Sequence, residues 1–271
     1  MGPVDYVGLR LVRHYLPDGV VRLLLHRGLI IRAGIETSAP AAAIRRFMDA
    51  IDGAGETVVG RRILIFGYGG RLDVAVELLR AGARHVVLVD PYAAPVPVTA
   101  SLASVGSPFL EASDSGPVPA PEWFTVIHAP LREYLSSDGG PVDLVLSNSV
   151  LEHVDDLAGA VADLARVTAS GGQHFHFIDL RDHFFKYPFE MLCYSEGSWR
   201  RFLNPGSNLN RLRVWDYERL FSSCFPRVTV QVRDSDLPAF RATRSRIRSE
   251  FLSGDEDRDA VTQVLLRAFL A

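Results

Sequence analysis

Between His174 and His183 the chain places three histidines, two aspartates and an arginine, its densest polar cluster. An imidazole titrates near neutrality, so a histidine there can take a proton from a hydroxyl or an amine. On an alternating strand, His174 and His176 share one face with Ile178. Asp179, Arg181, Asp182 and His183 then fall at or beyond the strand's carboxyl end. His183 reads as a general base, with Asp182 or Asp179 orienting it or binding acceptor hydroxyls. The competing reading is an Asp–Arg–His network that pins the loop that follows. Two aspartates and two histidines could also hold a divalent ion, but no spacing here is diagnostic and no metal is assigned.

A second constellation is built from glycine. Gly67, Tyr68, Gly69 and Gly70 form a tight turn after a short apolar run, Arg62 to Phe66. Glycine admits positive φ and lets a ligand approach the backbone with no Cβ in the way. Helix N-terminal N–H groups facing the same space attract negative groups. Asp90 ends the next β-branched run, 20 residues after Gly70. A carboxylate there can accept hydrogen bonds from both hydroxyls of an adenosine ribose. The bland alternative is a tight strand-to-helix turn beside a solvated aspartate. The order strand, glycines, helix, strand, acid favours a nucleoside cofactor. The dinucleotide fingerprint would need glycine at 72, where Leu72 stands.

These groups need a scaffold, and strand and helix patterns alternate to supply one. A helix is expected over 39–53, with Pro40 in its first turn and Ile44, Phe47, Met48 and Ile51 on one stripe. Strands are expected at 62–66, 85–89, 123–127, 142–146, 173–178 and 228–232. Helical spacing covers 72–81, 156–168, 215–225 and 237–252. Residues 3–33 read as helical around a turn at Pro17 to Gly19, and 93–121 as a loop. Ser170 to Gly172 reads as a turn, Glu152 and His153 as a helix start, and 261–270 as a last strand, a helix fitting nearly as well. The alternation predicts a doubly wound, Rossmann-like α/β sheet, mostly parallel, with helices on both faces. Loops after Phe66, Val89, Ile127, Leu146 and Ile178 should line one cleft at the strands' carboxyl ends.

Composition narrows the class. The 271 residues are 48 % hydrophobic and 23 % charged, enough for a proper core and unlike a disordered chain. The formal charge of −3 argues against a polyanion binder working through a whole-protein basic field, so no nucleic-acid partner is expected. Two cysteines, Cys193 and Cys224, make no disulfide scaffold. No apolar run approaches the roughly 18 residues of a membrane helix, and no signal-peptide pattern opens the chain. A cytoplasmic setting without a membrane partner is expected.

The ordered motifs resemble class I S-adenosylmethionine-dependent methyltransferases of the small-molecule type, over roughly residues 39–233. Ile63 to Gly70 matches the family's first motif, which cradles the methionine part of the cofactor. Val89, Asp90, Pro91 and Tyr92 match the ribose-binding acid and its neighbours. Asp143 to Val154, with Ser147, Asn148, Glu152 and His153, is similar to the fourth-strand motif. Ala169 to Gly172 looks like the turn before the fifth strand. The resemblance implies S-adenosyl-L-methionine as cofactor, held by Phe66, Gly67, Tyr68, Gly69, Gly70, Asp90, Pro91 and Tyr92. It places Ala129, Pro130 and Leu131 near the adenine, and Ser147 and Asn148 against cofactor or acceptor. The chain departs from the family pattern at Ile65, where an acid is usual, and at Arg71, where a third glycine is common.

Methyl transfer needs an acceptor aligned in line and shielded from water. The stretch 184–213 lacks periodicity and is rich in aromatics, which suits an acceptor-binding insertion. Tyr187, Tyr194, Trp199, Asn210 and Arg211, with Arg181 and a cleft-lining His153, are the candidate substrate contacts. An equal reading makes the insertion an ordinary lid or a homodimer surface. Residues 1–38 read as a helical cap in which Tyr6, Arg10, Arg13, His14 and Tyr15 close over the cleft or pack as scaffold. Arg241, Arg244, Arg246 and Arg248 read as a solvated helix face. The expected activity is methylation of a small-molecule acceptor, oxygen on a sugar-like or secondary-metabolite group first and nitrogen second. The rivals are a nicotinamide-dependent oxidoreductase and a non-catalytic binding module of the same fold.

Overall fold

A computed structural model describes residues 3–16, 40–93, 108–113, 116–137, 139–183, 186–206 and 208–271. The expected turn at 17–19 and the helical stretch beyond it lie outside the described residues.

Seven strands form one sheet, in the order β5-β2-β1-β6-β7-β9-β8. They are β1 (Arg62–Phe66), β2 (His85–Val89), β5 (Phe124–Ile127), β6 (Val142–Asn148), β7 (Thr168–Asp179), β8 (Arg227–Ser235) and β9 (Val261–Phe269). A separate hairpin pairs β3 (Leu110–Glu111) with β4 (Val118–Pro119), in a region read as loop from sequence. Strands β5, β2, β1, β6 and β7 pair in parallel, whereas β9 runs antiparallel to both β7 and β8. The sheet is therefore the doubly wound, mostly parallel type the alternation predicts, and 261–270 takes the strand option.

Central strands are apolar on both faces because both are covered. Ile63 and Ile65 of β1 pack with Phe47 and Ile51 of α2 (Pro40–Asp52) and with Ala75 and Leu79 of α3 (Asp73–Arg80). Leu64 points the other way, toward Leu131 and Tyr134 of α4 (Leu131–Leu135) and Leu164 of α5 (Leu157–Val167). Alternation with period 2 makes each strand contribute to two cores at once. Val264 and Leu266 of β9 pack with Tyr217 and Phe221 of α6 (Val214–Ser222). A fourth apolar cluster gathers Phe189, Trp199, Leu203, Phe240 and Ile247 beyond the sheet, with Val7 and Leu11 of α1 (Pro3–Tyr15) against it. The insertion shares this core with α1 and with the segment between β8 and β9.

Three local expectations change. Ser170 to Gly172 does not precede β7 but lies within it, as an irregularity where the β6 register slips between Val142 and Leu144. Gly171 takes φ +77° and donates its N–H to Leu270, so the β9 edge holds the bulge. Glu152 and His153 form a single 3₁₀ turn, Leu151–His153, and the helix begins later, capped by Asp156 accepting from Gly159 N. The helix expected over 237–252 stops at Thr243; 3₁₀ turns follow at Arg244–Arg246 and Ser249–Phe251. There Ile247 is buried and Arg246 reaches Glu190 with two hydrogen bonds, at 2.5 and 2.8 Å. The basic residues near 241–248 are thus ion-paired with Glu256, Glu190 and Glu250 in three cases, not a free charged face.

Candidate active site

The β1–α3 turn and the end of β2 meet directly. Gly67, Gly69 and Gly70 have φ of +80°, +66° and +78°, conformations that penalise a side chain. A Cβ at Gly67 would also lie 2.4 Å from Val150 Cγ2, so this glycine lets the turns after β1 and β6 pack together. Gly67 N donates to Val89 O at 2.8 Å and Gly69 N to Asp90 Oδ2 at 3.0 Å. Asp90 Oδ1 accepts from Tyr92 N and Ala93 N at 2.8 and 3.1 Å. The carboxylate is thus aimed at the glycine turn by three backbone donors. Oδ2 takes one of them, and a carboxylate oxygen can accept two.

Tyr68 is buried beside this carboxylate, its hydroxyl 3.4 Å from His128 Nδ1. Burial, then the Asp90 charge, pushes its pKa up, so the phenol stays neutral. Asp90 N donates to Ile127 O, which places the start of Ala129 to Leu131 beside Asp90. Pro130 is the first residue before α4, and Leu131 is buried beneath it. Phe66 ends β1, whereas Pro91 and Tyr92 are exposed, Tyr92 by 94 %. Ile65 is a core residue, and Arg71 turns back to Asp73 at the start of α3 (2.9 Å).

Beyond β6 and β7 a different set of groups converges. One ligand atom from each of Glu152, His153 and His183 lies within 4.8 Å of the other two. The His153 and His183 rings meet edge to face, centroids 4.8 Å apart. His153 Nδ1 lies 2.7 Å from the carbonyl of Asn208. A carbonyl only accepts, so Nδ1 carries the proton and Nε2 is the basic nitrogen of the neutral ring. Glu152 is buried and its Oε1 accepts from Asp179 N at 3.3 Å, which ties the turn after β6 to the end of β7. Sequence reasoning placed His183 and His153 near this space and left Glu152 without a role.

Each of the two aspartates is held by an arginine. Asp182 is fully buried and bonds Tyr6 and Arg10 of α1, both also buried. Burial and the neighbouring Asp182 charge push the Tyr6 phenol up, so it stays a donor. Asp179 accepts from Arg181 Nε and Nη2 at 2.9 and 2.6 Å and from Gln263 Nε2 at 3.2 Å. Arg181 is thereby engaged on its own loop rather than offered to an acceptor. Tyr6 and Arg10 follow the scaffold reading of the N-terminal helix.

Within the insertion, Tyr194 stacks on Tyr6 (5.8 Å) and Tyr187 meets the same ring edge-on (5.7 Å). Trp199 is buried, donates to Leu209 O at 3.1 Å and has the Arg10 and Arg211 guanidiniums each 5.0 Å from a ring centre. Arg211 binds the carbonyls of Met191 and Tyr194, and Asn210 those of Leu151 and Val154. Trp199, Asn210 and Arg211 therefore hold the insertion together and to the turn after β6.

Ser147 and Asn148 part company, as adjacent residues on a strand must. Ser147 is buried away from the glycine turn, 2.7 Å from His176 Nδ1. His176 Nε2 lies 3.1 Å from His174 Nδ1, and His174 Nε2 lies 2.8 Å from Thr168 Oγ1, which donates to Leu164 O at 2.6 Å. That last donation fixes the proton positions back along the whole chain of groups. Burial lowers the pKa of both histidines, His176 to about 3, so both are neutral core residues. Asn148 Oδ1 instead accepts from Arg46 of α2 at 2.8 Å, and Arg46 lies 5.0 Å over the Phe177 ring. Arg46, Ser149, Asp179, Arg233 and Gln263 line a polar cavity at the carboxyl ends of β6 and β7. In the α2 sequence Arg46 is one of four charged residues beside the apolar stripe, and nothing there sets it apart.

A glycine turn facing a buried acid across β1 and β2, with a polar site over β6 and β7, defines a nucleoside-cofactor transferase of the doubly wound type. Comparison with known proteins gives the family. The profile described as "Methyltransferase domain" matches residues 36–230, and the chain belongs to this family of S-adenosylmethionine-dependent methyltransferases. It is 30 % identical over 135 residues to a ubiquinone biosynthesis O-methyltransferase of Aromatoleum aromaticum, a match covering 50 % of each protein. The match thus spans about half the length of that curated relative. Among solved structures, the 1,6-didemethyltoxoflavin-N1-methyltransferase of Burkholderia thailandensis, with bound 1,6-didemethyltoxoflavin and S-adenosylhomocysteine, superposes with a TM-score of 0.51. The sequences are 16 % identical, and the alignment covers 100 % of this chain and 91 % of the other. No helix among the described residues is long and apolar enough to cross a membrane.

Proposed function

We propose that the protein methylates a hydroxyl of a polar small molecule, sugar-like or a secondary metabolite, within a catalytic domain over 39–271 capped by residues 1–38. S-adenosylmethionine supplies the electrophilic methyl group. Gly67 to Gly70 and the spare acceptor capacity of Asp90 Oδ2 are the groups that fit its methionine and ribose parts, with Ala129 to Leu131 beside the adenine. The observation that carries the reading is the pairing of that cradle with a basic site two strands away. Parallel strands lie about 4.8 Å apart, so β1 and β7, separated by β6, stand roughly 10 Å apart, a distance that suits donor and acceptor ends of one reaction.

His183 is the group we assign to acceptor deprotonation. It sits at the cleft end of β7 with His153 and Glu152 around it and is half-buried, open enough for an acceptor to reach. Removing the proton raises the electron density of the attacking oxygen, and holding the acceptor in line lowers the entropy of activation. The Aromatoleum relative's name favours oxygen as the methylated atom.

Thermal shift with S-adenosylhomocysteine and with NADH tests the cofactor half. Stabilisation by S-adenosylhomocysteine alone is expected, and stabilisation by NADH alone would overturn the reading. His183→Ala should lose turnover while keeping S-adenosylhomocysteine binding; unchanged turnover removes His183 from the chemistry.

A further inference from the structure

We infer that Arg46 and Arg233 form a subsite for an acidic group of the acceptor, a carboxylate or a phosphoryl group. The inference rests on the methyltransferase reading and names the substrate class of that same cleft. The subsite is the cavity at the carboxyl ends of β6 and β7, with Arg46, Ser149, Asp179, Arg233 and Gln263 as its polar walls. Its volume of about 150 Å³ equals roughly five water molecules at about 30 Å³ each. A pocket for a whole acceptor needs roughly 300 Å³ or more. The cavity therefore suits one ionic group of an acceptor rather than the acceptor itself.

The charge of the walls favours an anion. Arg46 comes from α2, Arg233 from β8 and Asp179 from the end of β7. Arg46 donates to Asn148 Oδ1 at 2.8 Å and lies 5.0 Å over the Phe177 ring; both partners are neutral, so these contacts aim the guanidinium without cancelling its charge. Arg233 is exposed and enters no ion pair among the described residues. Asp179 is the carboxylate in the wall, and Arg181 neutralises it through two hydrogen bonds, at 2.9 and 2.6 Å. The carboxylates that follow Arg233 are turned to other groups. Asp234 accepts from Thr262 Oγ1 at 3.0 Å, and Asp236 from Ala239 N at 2.9 Å. The wall is left with a net positive charge, and the planar guanidinium fork matches carboxylate and phosphate oxygens.

Two departures from regular backbone present these groups. The register of β8 against β9 slips between Val232 and Asp234, which leaves Arg233 as the extra residue of a bulge beside Gln263. Bulges re-aim a side chain that strict alternation would send elsewhere. Ser149 takes φ +53°, a left-handed conformation uncommon for serine, and donates its N–H to Phe177 O at 2.8 Å, which holds it beside β7. Position separates the subsite from the cofactor. Strands β1, β6, β7, β9 and β8 are successive neighbours, so at about 4.8 Å per step β8 stands roughly 19 Å from β1. Arg233 is therefore far from the glycine turn that fits the methionine part. The subsite and His183 instead flank the same strand end, since Asp179 closes β7 and His183 follows in the next loop. An acceptor pinned there by its anion presents its hydroxyl to His183 with one end already fixed, which lowers the entropy of alignment.

Calorimetric titration of the intact protein, saturated with S-adenosylhomocysteine, compares glucuronate and glucose 6-phosphate with glucose. At least one of the two acids should bind about 10-fold tighter than glucose, and the tighter of them identifies the group. Arg233→Ala should remove that advantage and leave S-adenosylhomocysteine binding and the thermal midpoint as in wild type, because the side chain is exposed. Neither acid exceeding glucose overturns the inference. So does an advantage that survives in Arg233→Ala, since the anion would then be read elsewhere. Weakened S-adenosylhomocysteine binding by Arg233→Ala overturns it as well, because the cavity would then serve the cofactor's own carboxylate. Failure of the wild type to bind S-adenosylhomocysteine sinks the methyltransferase reading instead, and the same comparison on the ligand-free protein still decides whether the cavity reads an anion.

Discussion

The two halves of the cleft are made of different material. Around Asp90 the site is backbone: three main-chain N–H groups, those of Gly69, Tyr92 and Ala93, fix the carboxylate, all from the β1–α3 turn and the end of β2. Around His183 the site is side chain: Glu152 and His153 come from one turn, His183 from another, and the neighbouring Asp182 is anchored by Arg10, 172 residues away. A backbone site is specified by where a chain may bend. A side-chain site is specified by which distant segments pack together, and its failure should spread through them.

The largest test of that contrast is Asp182→Ala. It leaves the Arg10 guanidinium buried without its carboxylate, which should cost about 3–5 kcal/mol. Urea unfolding measures the loss, and a change below 1 kcal/mol would erase the distinction between the two halves. Asp90→Ala should act locally instead. If Asp90 holds the ribose as proposed, losing that charge-assisted contact predicts about a 100-fold weaker S-adenosylhomocysteine affinity by calorimetry, with a much smaller stability change than at Asp182.

The buried histidines give a pH signature that neither half of the cleft supplies. His174 and His176 are neutral in the fold because their pKa values are lowered, whereas in the unfolded chain they bind protons below about 6.5. The unfolded state therefore gains protons first, and stability falls as pH drops from about 6.5 toward the folded value, near 3 for His176. The slope should approach about 1.4 kcal/mol per pH unit for each histidine. Urea midpoints at pH 7.5 and 5.5 measure it, and a His176→Gln variant with an unaltered slope would contradict the assignment. The smallest effect belongs to Arg166→Ala. Its exposed pair with Asp163 on α5 should contribute at most about 0.5 kcal/mol. A larger loss on thermal unfolding would mean that surface pairs here are not the minor partners the geometry makes them.

What could be read in the sequence follows the same division. Continuous apolar runs such as Ile63 to Phe66 and the glycines at 67, 69 and 70 announce a buried strand and a turn, because both are local rules. The acid at 90 follows from the length of the intervening unit. The polar run from His174 to His183 was legible as a cluster but not as a set of partners. His174 and His176 turned into the core against Phe225 and Phe221. Asp182 went to the N-terminal helix α1, Trp199 and Arg211 closed on the insertion's own carbonyls, and Asn210 on those of the turn after β6. None of these pairings is local, so no spacing rule could find them. Helical spacing over 237–252 misled for a related reason: beyond the helix end at Thr243, Arg246 pairs with Glu190, 56 residues earlier.

The anchoring of Asp182 by Tyr6 and Arg10 also orders events at the ribosome. The first helix is synthesised with a cation whose carboxylate does not yet exist, and more than half of the chain must follow before it does. Until then Arg10 keeps its water. The contacts that hold α1 at Asp182 can therefore form only once residue 182 has been made, and the stretch leading to His183 is anchored from then on by a helix more than half a chain away.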